Sequence, residues 1–319
     1  MLSAALLGCF DSTPQPEQQF DHYLARIANV QESAQLASPE RSYPSLPSKR
    51  ELKIDIPSIT LGLLESYELR HCQLFELIAQ RNSSLGKVQD QFRNYQYQNQ
   101  LIRGLNRCLA HPEISPSLKT KLSDILAQKR QQHVLHLSNL LFISDTMRSQ
   151  LVSYQWIDQG MYDHANQVIQ ALSVISSTVT GSNSNERSIV TTQQTLETVP
   201  LLGRLSYSLI NASQWLKVIN QQLYSNDTKI TCGAQRDTTK LTYLRNVFDK
   251  FYVRQIQPYL AQLDQLYFRL QPSIQILSTT HPNYQYPLAQ QHQRFHRQSE
   301  RHANYWQQLF KRCGIRIGQ

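Results

Sequence analysis

Apolar residues recur every three to four positions along most of the chain, which is the spacing of an amphipathic α-helix. Near the start, Phe20, Tyr23, Leu24 and Ile27 fall on one helical face, and the strongest stripe covers residues 241–270. No stretch alternates apolar and polar residues as a strand with one buried face would. The pattern therefore predicts an all-α fold, a bundle of long, mostly antiparallel amphipathic helices.

Turn-forming residues divide this pattern into separate helices. Pro258 interrupts the strongest stripe. Because proline lacks an amide donor and disfavours helix at the preceding residue, we expect a kink there, or a second helix with Pro258 in its first turn. Ser58 could cap the helix that follows a proline-containing loop over residues 39–57. Helices are predicted over residues 20–30, 58–81, 85–109, 117–152, 160–180, 191–224, 241–270 and 288–312.

Composition divides the chain into three parts. Residues 1–8 form a short apolar segment, residues 9–19 are polar and contain prolines, as in a tether, and residues 20–319 form the helical domain. Within that domain, Thr180–Glu186 is rich in Ser and Asn and is the best linker of the chain. We therefore expect either a single body or two lobes divided near residues 181–190.

The first residues match a bacterial lipobox. Leu6 and Leu7 are apolar, Gly8 is small, and Cys9 supplies the thiol that a lipid would alkylate. Phe10, rather than Asp, follows the cysteine, which resembles the sorting signal for the outer membrane. The apolar stretch is short and lacks the positive residues of a secretory signal, so either translation starts upstream or this is an ordinary N-terminus. We predict lipidation of Cys9 and a position on the periplasmic side of the outer membrane.

The cysteine count indicates a redox compartment. The cysteines are Cys9, Cys72, Cys108, Cys232 and Cys313. If Cys9 carries the lipid, four cysteines remain for disulfides, an even number that suits an oxidising compartment. The sequential pairs would be Cys72–Cys108 and Cys232–Cys313. Straight antiparallel helices would separate the first pair by roughly 20 Å, so it needs a helix break, such as one near Gly104, or a steep crossing. The alternative is four reduced, buried thiols in the cytosol.

Basic residues are concentrated at the C-terminal end. The net charge is +9, and residues 236–319 hold 12 Lys and Arg against 4 Asp and Glu, whereas residues 1–235 hold 20 against 19. In the last helix, a basic side opposes a packed side that includes Phe295, His302 and Trp306. The basic side predicts contact with anionic lipid, lipopolysaccharide or cell wall, and the alternative is a solvated face that only aids solubility. Its arginines are Arg294, Arg297, Arg301 and Arg312.

Histidines suggest metal sites only weakly. Glu68 and His71 have the Glu-x-x-His spacing of a di-iron bundle, but the chain has no second copy, and we interpret His71 as a core histidine on an apolar stripe. His133 and His136 lie one turn apart without a third ligand nearby, so a solvated or interfacial pair is favoured over a metal site. The last helix also carries His292, His296 and His302, two of them on its apolar side. We expect no metal.

Motifs of catalysis are lacking. The chain has only 10 Gly and no Gly-x-Ser-x-Gly elbow, which disfavours nucleotide loops and a hydrolase serine. The segment Arg81–Gly86 could be an anion-binding helix start that uses Ser84 and free amides, but an ordinary helix break with a serine cap is favoured. We therefore assign no catalytic residue and no cofactor.

Three motifs resemble an uncharacterised family of Gram-negative bacterial proteins, catalogued as a domain of unknown function and often predicted to be lipoproteins. They are Arg81-Asn-Ser-Ser-Leu-Gly86, Val247-Phe-Asp-Lys-Phe-Tyr-Val-Arg-Gln-Ile-Gln-Pro-Tyr-Leu260 and Arg312-Cys-Gly314. The resemblance covers roughly residue 20 to the end and implies export and lipidation. It implies no activity, cofactor or catalytic residue, and the very short signal segment departs from the family.

Three functions remain in competition. The lipobox and the cysteine count favour a lipid-anchored, periplasm-facing protein that binds or scaffolds in the cell envelope. The basic C-terminal region suggests a cytosolic protein that binds nucleic acid, although the sequence has no helix-turn-helix, zinc finger or RNA-binding motif, so we expect no nucleic-acid partner. The third is an enzyme whose site is assembled from residues distant in sequence.

Overall fold

The structure is a computed structural model that describes residues 16–59, 67–180, 189–233 and 235–315. These residues are mostly helical and contain no strand, so the predicted all-α fold is confirmed. In chain order the α-helices are α1 (Pro16–Val30), α2 (Lys49–Leu52), α3 (Leu74–Asn82), α4 (Ser84–Lys87), α5 (Gln91–Ala110), α6 (Pro116–Ile143), α7 (Asp145–Leu151), α8 (Gln159–Thr180), α9 (Ile189–Thr198), α10 (Leu201–Ser225), α11 (Thr239–Val247), α12 (Gln257–Ile274), α13 (Ile276–Thr279) and α14 (Leu288–Arg312).

Polar caps and a proline decide where two predicted long helices are divided. The Ser144 hydroxyl accepts the amide of Met147 at 3.2 Å, so the predicted helix over 117–152 ends at residue 143 and α7 begins anew. Pro200 separates α9 from α10, because the residue before a proline avoids helical angles. α14, by contrast, has the predicted bounds.

The strongest apolar stripe contains two kinds of helix. α11 is followed by a π-helix over Phe248–Ile256 and then by α12. Pro258 lies in the first turn of α12, which confirms the second of the two alternatives. Because each π-helical hydrogen bond reaches five residues instead of four, the π-helix shifts the faces of the stripe in a way that the pattern does not predict.

The predicted helix over residues 58–81 is confirmed over residues 74–81, which lie in α3, but it is not continuous and does not begin at Ser58. Leu69–Cys72 form a 3-10 turn, and Gln73 has a left-handed φ of 62° before α3 begins. A left-handed residue ends a helical run, and here the turn leaves His71 at the surface. The His71 side chain is 46% exposed and lies 2.5 Å from Glu113, so its interpretation as a core histidine is wrong.

The described residues form two compact units. Unit 1 comprises segments 1–42, 208–265 and 291–319, and unit 2 comprises 43–207 and 266–290. The described residues on both sides of 181–190, where two lobes could divide, belong to unit 2, and residues 181–188 lie outside the described part. α1 begins at Pro16, so the last four residues of the predicted tether 9–19 are helical.

Unit 1 has an aromatic core. Its rings come from α1, α10, the π-helix and α14, and buried aromatic pairs stabilise a fold by roughly 0.5–1.5 kcal/mol beyond their burial. Contacts with centroid distances of 4.3–6.1 Å join Phe20 with Trp215, Tyr23 with Tyr252, and Phe248 with Trp306. α14 therefore packs within unit 1 through its aromatic side.

Unit 2 contains the antiparallel hairpin of α5 and α6, packed through leucines. α5 runs unbroken through Gly104, so the predicted break there does not occur. A Cβ at this position would overlap the side chain of Leu74, and its absence lets α3 pack closely on α5. Cys72, which precedes α3 in the 3-10 turn, thereby comes within a Cα–Cα distance of 5.1 Å of Cys108.

Candidate functional site

The two sides of α14 differ as the helical wheel predicts. Phe295, His302 and Trp306 are at most 2% exposed on the packed side. On the opposite side, three arginines are exposed and no carboxylate in the described residues pairs with them. Arg301 also lies over the ring of Tyr224 at 5.1 Å. We name these three the arginine stripe: Arg294, Arg297 and Arg301.

Arg312 differs from the arginine stripe. Its guanidinium donates to both carboxylate oxygens of Asp227, with Nη2–Oδ1 at 3.0 Å, and this hydrogen bonding raises the pKa of Arg312. A helical wheel of α14 can reveal only acidic partners within α14 itself. Asp227 lies in the turn after α10, so the wheel does not predict this pair. Arg312 is therefore neutralised locally, and its assignment to an anion-contacting face is corrected.

His302 is enclosed in the aromatic core of unit 1. Its Nδ1 lies 2.9 Å from Asn220 Oδ1, and its Nε2 lies 3.1 Å from the Tyr23 hydroxyl and 3.1 Å from Trp306 Nε1. Because the indole nitrogen can only donate, Nε2 accepts and Nδ1 carries the proton. Burial lowers the pKa of His302 to about 3, so the ring is neutral near pH 7.

The other two histidines of α14 pair with acids. His292 Nε2 lies 2.7 Å from Asp264, and His296 lies 3.3 Å from Glu300. Within the described ranges, no group of three His, Cys, Asp or Glu side chains is arranged to hold a metal ion.

The disulfide prediction agrees with the structure. Cys72–Cys108 and Cys232–Cys313 are both bonded, with Cα–Cα distances of 5.1 and 5.3 Å. The second bond joins the loop before α11 to the end of α14. The fifth cysteine, Cys9, lies outside the described residues.

The Glu68 and His71 pattern brings no metal ligands together. Glu68 accepts the amide of Ser115 at 3.0 Å, whereas His71 pairs with Glu113. In α6, His133 and His136 bond to Asn99 and Asn94 of α5, at 2.9 and 3.3 Å. Of the two favoured alternatives, a solvated or an interfacial pair, these contacts fit the interfacial pair.

The segment Arg81–Gly86 is a helix break, as favoured. Ser83, rather than Ser84, caps the four-residue α4 by accepting the amide of Gly86 at 3.1 Å. A Cβ at Gly86 would overlap the backbone of Gln80 and Arg81, so the turn requires glycine. The Arg81 guanidinium folds back and donates to the Gly86 carbonyl.

A cavity of about 460 Å³ in unit 1 is lined by polar side chains of α1 and the following loop and by Trp215 of α10. These groups bond to one another: Arg41 pairs with Glu17 at 3.0 Å, and Asp21 accepts the hydroxyl of Ser38 at 2.9 Å. The charged groups of the lining are therefore paired within the chain itself.

Comparisons with known proteins extend these observations only slightly. A family model described as "Protein of unknown function (DUF3080)" matches residues 20–317. No curated protein and no solved structure matches the chain. Among the described helices, none combines the length and apolar character required to cross a membrane.

Proposed function

Because the chain belongs to the DUF3080 family, whose function is unknown, we propose a role from its own residues. It is a lipid-anchored protein of the cell envelope, tethered through Cys9 to the outer membrane on the periplasmic side. It acts by binding or scaffolding, and its arginine stripe contacts anionic groups of lipid, lipopolysaccharide or cell wall.

The two disulfides are the observation that carries this proposal. Disulfides persist in oxidising compartments such as the periplasm and are rare in the cytosol. Here two bonds join residues that are 36 and 81 positions apart, and both use cysteines held at bonding distance by the fold. They leave Cys9 as the odd cysteine, in the position that a lipobox assigns to the lipid.

The arginine stripe supports the anionic partner. A basic side chain near an anionic membrane surface contributes about 1 kcal/mol, so three would together strengthen membrane binding by about 3 kcal/mol, or roughly a hundredfold. A lipid chain by itself anchors only marginally, and a second basic signal makes the attachment stable.

Fractionation of Gram-negative cells tests the anchor. The wild-type chain should pellet with outer membranes, release with detergent and incorporate labelled fatty acid. When the membranes are washed in 1 M salt, which screens the arginine stripe, Cys9→Ser should do none of these and should still fold. Fatty-acid label persisting on the serine variant would contradict lipidation at Cys9.

Thiol trapping in the same cells tests the compartment separately. Rapid alkylation before lysis should leave Cys72, Cys108, Cys232 and Cys313 unmodified, because they are oxidised. Four alkylated cysteines in a soluble cytosolic fraction would overturn the envelope role and favour the nucleic-acid alternative.

A further inference from the structure

Unit 2 contains a buried lysine without an acidic partner. Lys129 of α6 is only 9% exposed, and its ammonium donates to Gln132 of the same helix at 3.3 Å. In the described part of the chain, no carboxylate pairs with it. Buried lysines are almost always paired, because transferring an unpaired ammonium out of water is costly.

The neighbours of Lys129 are also basic. His133 and His136 follow it on the same face of α6, and Arg81 approaches from α3. Burial lowers the pKa of Lys129, and the charge of Arg81 lowers it further. Burial likewise lowers the pKa of His136 to about 4, with smaller contributions from Lys129, His133 and Arg81. We name Arg81, Lys129, His133 and His136 the basic cluster.

Hydrogen bonds through Asn94 determine which ring nitrogen of His136 carries the proton. Arg81 Nη2 donates to Asn94 Oδ1 at 3.1 Å, so the Asn94 amide nitrogen donates to His136 Nδ1, at 3.3 Å. His136 must then carry its proton on Nε2, and that nitrogen is buried without an acceptor in the structure. Buried N–H donors normally have a hydrogen-bond acceptor. The His136 side chain is about nine-tenths buried, so its free Nε2–H indicates an acceptor that the chain itself does not supply.

Arg81 also retains donors. Three of its N–H groups bond to neutral oxygens, those of Gly86, Gln89 and Asn94. An arginine has five such donors, so Nε–H and one Nη2–H remain for a further acceptor. No carboxylate of the described residues neutralises the guanidinium, whereas the nearby Arg93 pairs with Asp90 at the start of α5.

A cavity of about 140 Å³ gives access to Arg81 from the surface. Its lining includes Arg81, Arg93 and the ring of Tyr97, with glutamine amides around them. The Tyr97 ring lies 5.5 Å from the Arg81 guanidinium and supports it from one side. The lining contains no carboxylate.

We propose that the basic cluster and this cavity form a binding site for a small oxyanion, a phosphate or carboxylate group carried by a small molecule. The oxyanion accepts from the free donors of Arg81, the member of the basic cluster that lines the cavity. The charge of Lys129, which interacts with that of Arg81, adds to the attraction from behind it. Binding offsets the cost of the unpaired ammonium, which explains how the fold retains four basic groups together. This site is independent of the lipid anchor and of the arginine stripe.

Thermal unfolding of the full chain tests the site with inorganic phosphate and with acetate, each compared with sodium chloride at equal ionic strength and pH 7. We expect at least one of the two oxyanions to raise the Tm with rising concentration while chloride does not. The two salts distinguish a phosphate group from a carboxylate group. Chloride matching both oxyanions would overturn the proposal.

Lys129→Met provides the decisive variant, with Lys119→Met on the same helix as its control. Without oxyanion, Lys129→Met should have a higher Tm than the wild type, because it removes a buried unpaired charge. It should bind the active oxyanion at least tenfold more weakly, whereas Lys119→Met should behave as the wild type. An equal response of both variants would refute the site.

Because Arg81 also holds the turn before α5, its replacement could disturb folding, and a second readout uses the wild type. Titration of His136 by NMR should give a pKa near 4 in chloride and a higher pKa once the oxyanion is bound. An unchanged His136 titration at saturating oxyanion would contradict the cluster as the binding site.

Discussion

His302 makes the stability of unit 1 depend on pH. Burial lowers its pKa to about 3, from an ordinary value of about 6.5. Below about pH 6.5 the unfolded chain binds a proton that the folded chain does not, so the free energy of unfolding falls as the pH falls towards about 3. The slope from this one group approaches about 1.4 kcal/mol per pH unit.

We expect His302→Gln to be less stable than the wild type at pH 7 and less sensitive to acid. Between pH 7 and pH 5, its free energy of unfolding should fall by about 2 kcal/mol less than that of the wild type. Urea unfolding followed by tryptophan fluorescence measures both values. His164→Gln, at an exposed position of α8, is the control and should follow the wild type. Identical pH dependence of His302→Gln and the wild type would mean that His302 contributes nothing to it.

Single residues also decide where the backbone turns. Gly86 permits a turn that any side chain would block. The sequence predicts a helix break at this segment but not the requirement for glycine. Gln73 turns the chain through a left-handed φ, although glutamine rarely adopts that conformation. Its position in the 3-10 segment is a tertiary effect, because the neighbouring Cys72 is bonded to Cys108 and Leu74 packs at Gly104.

At the scale of elements, α14 is the part that the sequence predicts best. Its bounds, its buried aromatic side and its exposed arginines all follow from a period of 3.6 residues. The π-helix is the opposite case, since an apolar stripe predicts a helical face but does not distinguish hydrogen bonds to the fourth residue from bonds to the fifth.

The arginine stripe predicts salt-dependent binding to anionic membranes. The chain without its lipid should sediment with vesicles containing anionic lipid at low salt and be released near 1 M salt, where the screening length is about 3 Å. Replacing Arg294, Arg297 and Arg301 by Gln should abolish sedimentation, because glutamine keeps helix propensity while removing the charge.

A charge-matched variant controls this experiment. Arg50, Arg103 and Arg107 are exposed in unit 2, and their replacement by Gln removes the same net charge. This variant should still sediment. If it fails to sediment, as the stripe variant does, total charge rather than the arginine stripe governs binding.

At the scale of the whole molecule, the two disulfides close loops of 36 and 81 residues. In the chain-entropy account, each bond stabilises the fold by about 4 kcal/mol, and the longer loop contributes about 0.7 kcal/mol more. Paired Cys→Ser variants should lower the free energy of unfolding by up to these amounts, in urea at pH 7. Full stability of both paired variants would show that folding does not depend on the bonds.

The sequence by itself determined the features that depend on neighbours along the chain. Helical periods, the ends of α14, the helix break at Arg81–Gly86 and the absence of a strand pattern are local, since each rests on a few consecutive turns. The order of the four cysteines along the chain also predicted both disulfides. The first forms without the helix break proposed near Gly104.

Only the tertiary structure decided which distant side chains meet. Asp227 neutralises Arg312 across 85 residues, and Asn94 joins Arg81 to His136 across three helices. Such contacts depend on how helices cross and on where the chain turns, which the period of one helix does not specify. The same reason applies to the two units, because each gathers segments that are far apart in sequence.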